Sequence, residues 1–89
     1  MAHQIFKYQL AVEDRQTVVI HRGFKILSVQ NQNGVITFWA IVNTNNATYE
    51  HNFFVFGTGQ EIKIPLEHMN YVGTVQMNYL VWHVFMDLE

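Results

Sequence analysis

The sequence predicts an all-β domain, a small sandwich or partly closed barrel of seven to eight short, mostly antiparallel strands. Three observations carry this. Apolar and polar residues alternate with period two along most of the chain, and no window of about 11 residues carries a helical 3.6-residue stripe. Asn33-Gly34 stands between two apolar runs, and that pair is the preferred two-residue hairpin turn because both positions need positive φ. Turn residues recur at the roughly 8–12-residue spacing of consecutive hairpins.

Ile5 to Ala11 points Phe6, Tyr8 and Leu10 one way and Lys7 and Gln9 the other, the pattern of a strand with one wet face. Glu13-Asp14-Arg15-Gln16 reads as a polar turn, and Thr17 to Ile20 as a short β-branched strand closed by His21-Arg22-Gly23. A two-residue turn at Asn33-Gly34 sets Gln32 opposite Val35, Val29 opposite Phe38 and Leu27 opposite Ala40. Leu27, Val29, Ile36, Phe38, Ala40 and Val42 then share the core face. Ile26, Ser28, Gln30, Gln32, Val35, Thr37, Trp39 and Ile41 share the other, mixed face.

Residues 43–48, Asn43-Thr44-Asn45-Asn46-Ala47-Thr48, form a loop, since these side chains favour turns by bonding their own backbone. Tyr49 to Phe56 resumes strand character with apolar residues on both faces, which implies a central strand or a contact between subunits. Gly57-Thr58-Gly59 breaks it. Glu61 to Leu66 alternates Ile62, Ile64 and Leu66 against Glu61 and Lys63, and Pro65 confines it to an edge strand or a strand end. Tyr71 to Met77 and Leu80 to Met86 form a last hairpin. Residues 1–87 are read as a single domain and Leu88-Glu89 as a cloning remnant.

Composition narrows the function classes. At 89 residues the chain is too short for a second core, and 49% hydrophobic residues with 13% charged is too apolar for disorder. The net charge of −2 and five scattered bases, Lys7, Arg15, Arg22, Lys25 and Lys63, give no field for generic nucleic-acid binding, which needs clustered cations. Zero cysteines remove disulfides, thiolate metal sites and cysteine nucleophiles together. No apolar stretch resembles a signal segment or a membrane span, so a cytoplasmic protein is expected.

No local motif for catalysis or metal binding emerges. The five histidines, His3, His21, His51, His68 and His83, lack ligand spacing, and a site could assemble only across strands, for instance from His51 and His83 with Glu50 or Glu67. His83 shares its strand face with Val81 and Phe85, where a hydrogen bond to a backbone carbonyl or a subunit contact is the simpler role. Gly57-Thr58-Gly59-Gln60 and Gly73-Thr74-Val75-Gln76 read as bulge glycines, because no helix follows to bind a phosphate. Ser28 lies mid-strand and Glu13-Asp14 in a solvated turn. The expectation is no enzyme, no metal and no cofactor.

Several runs, however, resemble a family. Lys25-Ile26-Leu27-Ser28-Val29-Gln30-Asn31-Gln32-Asn33-Gly34, Phe38-Trp39-Ala40-Ile41-Val42, Phe56-Gly57-Thr58-Gly59-Gln60, Tyr71-Val72-Gly73-Thr74-Val75-Gln76 and Leu80-Val81-Trp82-His83-Val84-Phe85 are similar to uncharacterised small proteins often encoded by bacteriophages and prophages. The resemblance spans nearly the whole chain and implies a genomic setting but no activity. Relatives tend to carry an Asp-Pro loop after the tryptophan strand, where this chain has Asn43 to Thr48.

Thirteen aromatic residues, with more apolar faces than one small sandwich covers, point to self-association. The expected function is that of a non-enzymatic phage or prophage accessory protein acting through an unknown protein partner and as a homo-oligomer. Its candidate surface is Ile26, Trp39, Ile41, Phe54, Phe56, Trp82 and His83. The alternative is a binder of a nucleotide or signalling molecule, with Arg22, Lys25, Tyr49 and His51 as ligand contacts.

Overall fold

Asn33 and Gly34 both adopt positive φ, 54° and 83°, in a computed structural model that describes residues 2–88. The two-residue turn places Gln32 opposite Val35 as the sequence requires. A second tight turn at Asn78, φ 58°, sets Met77 opposite Leu80. These turns join two pairs among the seven strands of the described residues: β1 (His3–Leu10), β2 (Gln16–His21), β3 (Lys25–Gln32), β4 (Val35–Asn43), β5 (Thr48–Gly57), β6 (Met69–Met77) and β7 (Leu80–Asp87).

The strands form two antiparallel sheets, β1-β4-β3 and β2-β5-β7-β6, without closure into a barrel. The expected sandwich is therefore the observed one. Between the sheets Phe38 of β4 and Phe53 of β5 stack at 4.9 Å, and Tyr8 stacks on Phe38 at 5.0 Å. Ile20, Ile36, Ala40, Val42, Val55 and Val84, each 0–1% exposed, join them in the core together with Leu10 and Val75 at 4% and 3%. Each large side chain removed from water there contributes roughly 1.5–3 kcal/mol.

Three expectations need correction. Leu27 does not face the core: a β-bulge lets Ile26 oppose Ala40 and Ser28 oppose Trp39, so Leu27 is left over and stands 46% exposed. Ile26 turns inward instead and packs on the core. Residues 61–66 are not a strand. They cross the outer face of the four-stranded sheet, and the chain re-enters it through a short 3-10 turn, Leu66–His68. Third, Phe54 and Phe56 are not surface residues, although β5 is the central strand that its two apolar faces imply, between β2 and β7. Phe54 and Phe56 are 5% and 3% exposed because Ile64 of that crossing segment, Met69 and Phe85 cover them. The alternation in residues 61–66 reflects this use: Ile64 is inserted, while Ile62 and Leu66 remain 38% and 67% exposed.

The sandwich is pinched along β3 and β6. A Cβ added at Gly73 would lie 2.3 Å from Val29 Cγ1, so only glycine lets the two strands approach this closely. Gly73 follows a second bulge, at Val72, as expected for that glycine; the Gly57-Thr58-Gly59 segment instead ends β5 in a turn. Asn31 Nδ2 donates across the same gap to the Gln76 carbonyl, 3.5 Å away.

Candidate functional site

β4 is the middle strand of its sheet, so its outward residues are flanked on both sides. Trp39 lies between Lys7 and Ser28, and Ile41 between Ile5 and Lys25. Ile5 is 61% exposed and Trp39 and Ile41 are half-buried, which makes an open apolar row on an otherwise polar face. A shallow groove of about 410 Å³ lined by His3, Gln4, Ile5 and Ile41 continues it. Beyond the row, Lys7 Nζ donates to Gln32 Oε1 at 3.2 Å, and Thr37 between Gln9 and Gln30 is fully covered. Ile5 was missed in the sequence because an isolated strand does not show which neighbour it will lie beside.

The other expected surface residues go elsewhere. Ile26, Phe54 and Phe56 lie in the two cores described above. Trp82 faces the main core, with its ring against Gly57, and its edge joins Gly57, Thr58, Gln60, Tyr79, Leu80 and Val81 around a cleft of about 570 Å³. His83 lies on the opposite face of the same strand. Its Nε2 meets Thr58 Oγ1 at 2.8 Å and its Nδ1 meets Thr74 Oγ1 at 3.1 Å, and Thr74 Oγ1 is bonded in turn to the Tyr71 hydroxyl. Three of the runs that carry the resemblance, those containing Thr58, Thr74 and His83, thus meet in one hydrogen-bonded chain. Hydroxyls occupy both imidazole nitrogens, where acid-base catalysis by a triad places a carboxylate on one of them.

Of the proposed ligand contacts, three come together. Arg22 lies 5.0 Å over the Tyr49 ring, whose centroid is 4.0 Å from that of His51. Phe24 meets His51 edge-on at 4.7 Å, and Asp87 Oδ1 lies 3.9 Å from its Nδ1. His51 is 1% exposed, whereas Tyr49 is half-buried and Arg22 exposed, so the cluster turns Arg22 and part of Tyr49 to solvent. Lys25 is not part of it; it sits beside Ile41 on the other sheet. His51 and His83 occupy opposite faces of the four-stranded sheet and cannot share a metal. Among the described residues no group of three His, Asp or Glu side chains converges.

One further cavity arises from the bulges. Leu27 and Val72, the extra residues of β3 and β6, open a groove of about 260 Å³ lined by Phe24, Ile26, Leu27, Ser28, Tyr71, Val72 and Met86. Its walls are mixed, and the two hydroxyl-bearing residues among them are already bonded, Ser28 Oγ accepting from Gln30 Nε2 and the Tyr71 hydroxyl paired with Thr74 Oγ1. No helix of the described residues is long and apolar enough to cross a membrane.

No curated protein and no solved structure matches the chain. A family model described as a domain of unknown function, DUF7352, matches residues 1–89, the whole length, and the chain therefore belongs to that family.

Proposed function

We propose that the protein is a non-enzymatic accessory protein of phage or prophage origin, acting in the host cytoplasm by protein–protein contact and as a homo-oligomer. The observation that carries the contact reading is the exposed row of Ile5, Trp39 and Ile41 on the outer face of the three-stranded sheet. A large aromatic side chain beside aliphatic ones, rimmed by Lys7, Lys25 and amides, is the composition that interfaces favour. The phage setting rests on the sequence resemblance. The non-enzymatic reading rests on the sequence, in which no local motif for catalysis emerges.

The test is co-purification from cells of the native source after cross-linking, with the Ile5→Lys/Ile41→Lys double variant alongside. A partner recovered in stoichiometric amount with the native chain and lost with the folded variant is the expected result. The same partners retained by both proteins would remove the face from consideration.

A second reading, binding of a small ligand, is favoured by the groove between the bulges, whose Phe24 and Tyr71 rings and Ser28 hydroxyl suit a flat ring bearing polar groups. Thermal shift against mononucleotides, cyclic dinucleotides and nucleotide sugars tests it. No shift at large excess of any of them counts against this class.

A further inference from the structure

Two sheets have four edges, here β1, β3, β2 and β6, and an edge strand with free N–H and C=O groups will pair with another strand unless something prevents it. Three of the four carry such protection. β1 has Lys7 at its middle. β3 has Lys25, the bulge at Leu27 and the neighbouring β6; β6 has the bulge at Val72 and is held against β3 at Gly73. β2 has none of these. Gln16-Thr17-Val18-Val19-Ile20-His21 contains no charged residue with histidine neutral, no proline and no bulge, and Val19 is 56% exposed.

The direction of its free groups follows from its pairing. Arg22 N–H donates to the Ala47 carbonyl at 2.9 Å, so Arg22 and the residues two and four before it turn their backbone groups toward β5. On β5 the Asn52 N–H points the other way, to Asp87 of β7 at 3.2 Å, which agrees with that phase. Thr17, Val19 and His21 therefore turn theirs to the open edge.

We propose that β2 joins a second copy of this chain, antiparallel, with Val19 opposite Val19 on a two-fold axis. This register sets Thr17 opposite His21 in both directions, so the outward N–H and C=O groups of all three residues are satisfied. Side chains of like orientation then stand in the same rows, which a one-residue slip destroys. The two sheets merge into one continuous sheet running through both copies. A neutral strand brings no like charges together on the axis, whereas pairing β1 with itself stacks Lys7 near its counterpart. The inference rests on the homo-oligomeric reading above and names its interface; it leaves the Ile5–Trp39–Ile41 face open for a different partner.

Light scattering across micromolar to millimolar concentration, on the native chain, Val19→Lys and Val19→Thr, tests it. The native chain and Val19→Thr should show twice the 10.5 kDa of one copy, and Val19→Lys 10.5 kDa with an unchanged circular dichroism spectrum. An oligomer that persists in folded Val19→Lys overturns the edge while leaving the oligomeric reading standing. A native chain that stays at 10.5 kDa throughout overturns both. Should Val19→Lys fail to fold, amide exchange in the native chain decides. The Val19 amide should exchange slowly when concentrated and fast when diluted, and fast exchange at both overturns the proposal.

Discussion

Gly73→Ala adds one methyl group at the tightest point between the sheets. Its carbon would stand 2.3 Å from Val29 Cγ1, where about 3.5–4.0 Å is normal for two carbons. Val29 is branched at Cβ and half-buried, so it has few rotamers to retreat into. Overpacking of this kind costs about 1–3 kcal/mol, and the reduced freedom of the unfolded chain offsets about 0.4–1 kcal/mol of it. The net expectation is a loss of about 1–2 kcal/mol, or about 4–16 °C in Tm for a domain of this size. Val29→Ala alone should cost about 1–2 kcal/mol through lost burial. The double variant has room for the new methyl and should cost no more than Val29→Ala, a coupling of about 1–2 kcal/mol. Urea denaturation of the four proteins measures it. Additivity within about 0.5 kcal/mol would refute the claim that the Gly73–Val29 approach is what excludes a side chain.

Ile64→Ala should cost about 1–3 kcal/mol and raise dye binding, because it uncovers Phe54 and Phe56. At the bulge, Leu27→Lys should stay within about 0.5 kcal/mol of the native chain, whereas Ile26→Lys should cost more than about 3 kcal/mol, and the reverse order by thermal denaturation would restore the unbulged register. The Tyr8 hydroxyl is pushed above its usual 10.0 by burial, and its ring stacks on Phe38. A raised folded value means stability is intact below pH 10 and lost as pH rises through it; Tyr8→Phe should weaken that alkaline loss in pH-dependent melting.

Much of the fold is legible in the residues. Asn33-Gly34 sets a hairpin because its φ requirement is local, and the burial of Ile36, Phe38, Ala40 and Val42 follows from strict alternation. What alternation does not reveal is where it slips. Nothing in Ile26-Leu27-Ser28 marks the bulge, since Ile26 and Leu27 are equally apolar and only the partner strand decides which is inserted. The covering of Phe54 and Phe56 was hidden for a related reason. Residues 61–66 carry a strand pattern, yet of their apolar side chains only Ile64 packs on a face already made by β5, β6 and β7. The Trp39–Ile41 pairing was visible, but the addition of Ile5 and the meeting of Thr58, Thr74 and His83 depend on which strands lie side by side.

The strand order also governs when the chain can fold. β1 finds its partner in β4 and β2 in β5, so the first 21 residues have no ladder to join until residues 35–57 exist. Those two closures span long loops, whose entropy must be met before any contact rewards it, and the protein should fold slowly for its size. On the ribosome the segment Gln16–His21 emerges early and waits for β5, which begins 27 residues after His21, whereas β4 begins 25 residues after Leu10. The edge proposed above to pair with a second copy is, in the growing chain, the segment that waits longest for its partner strand.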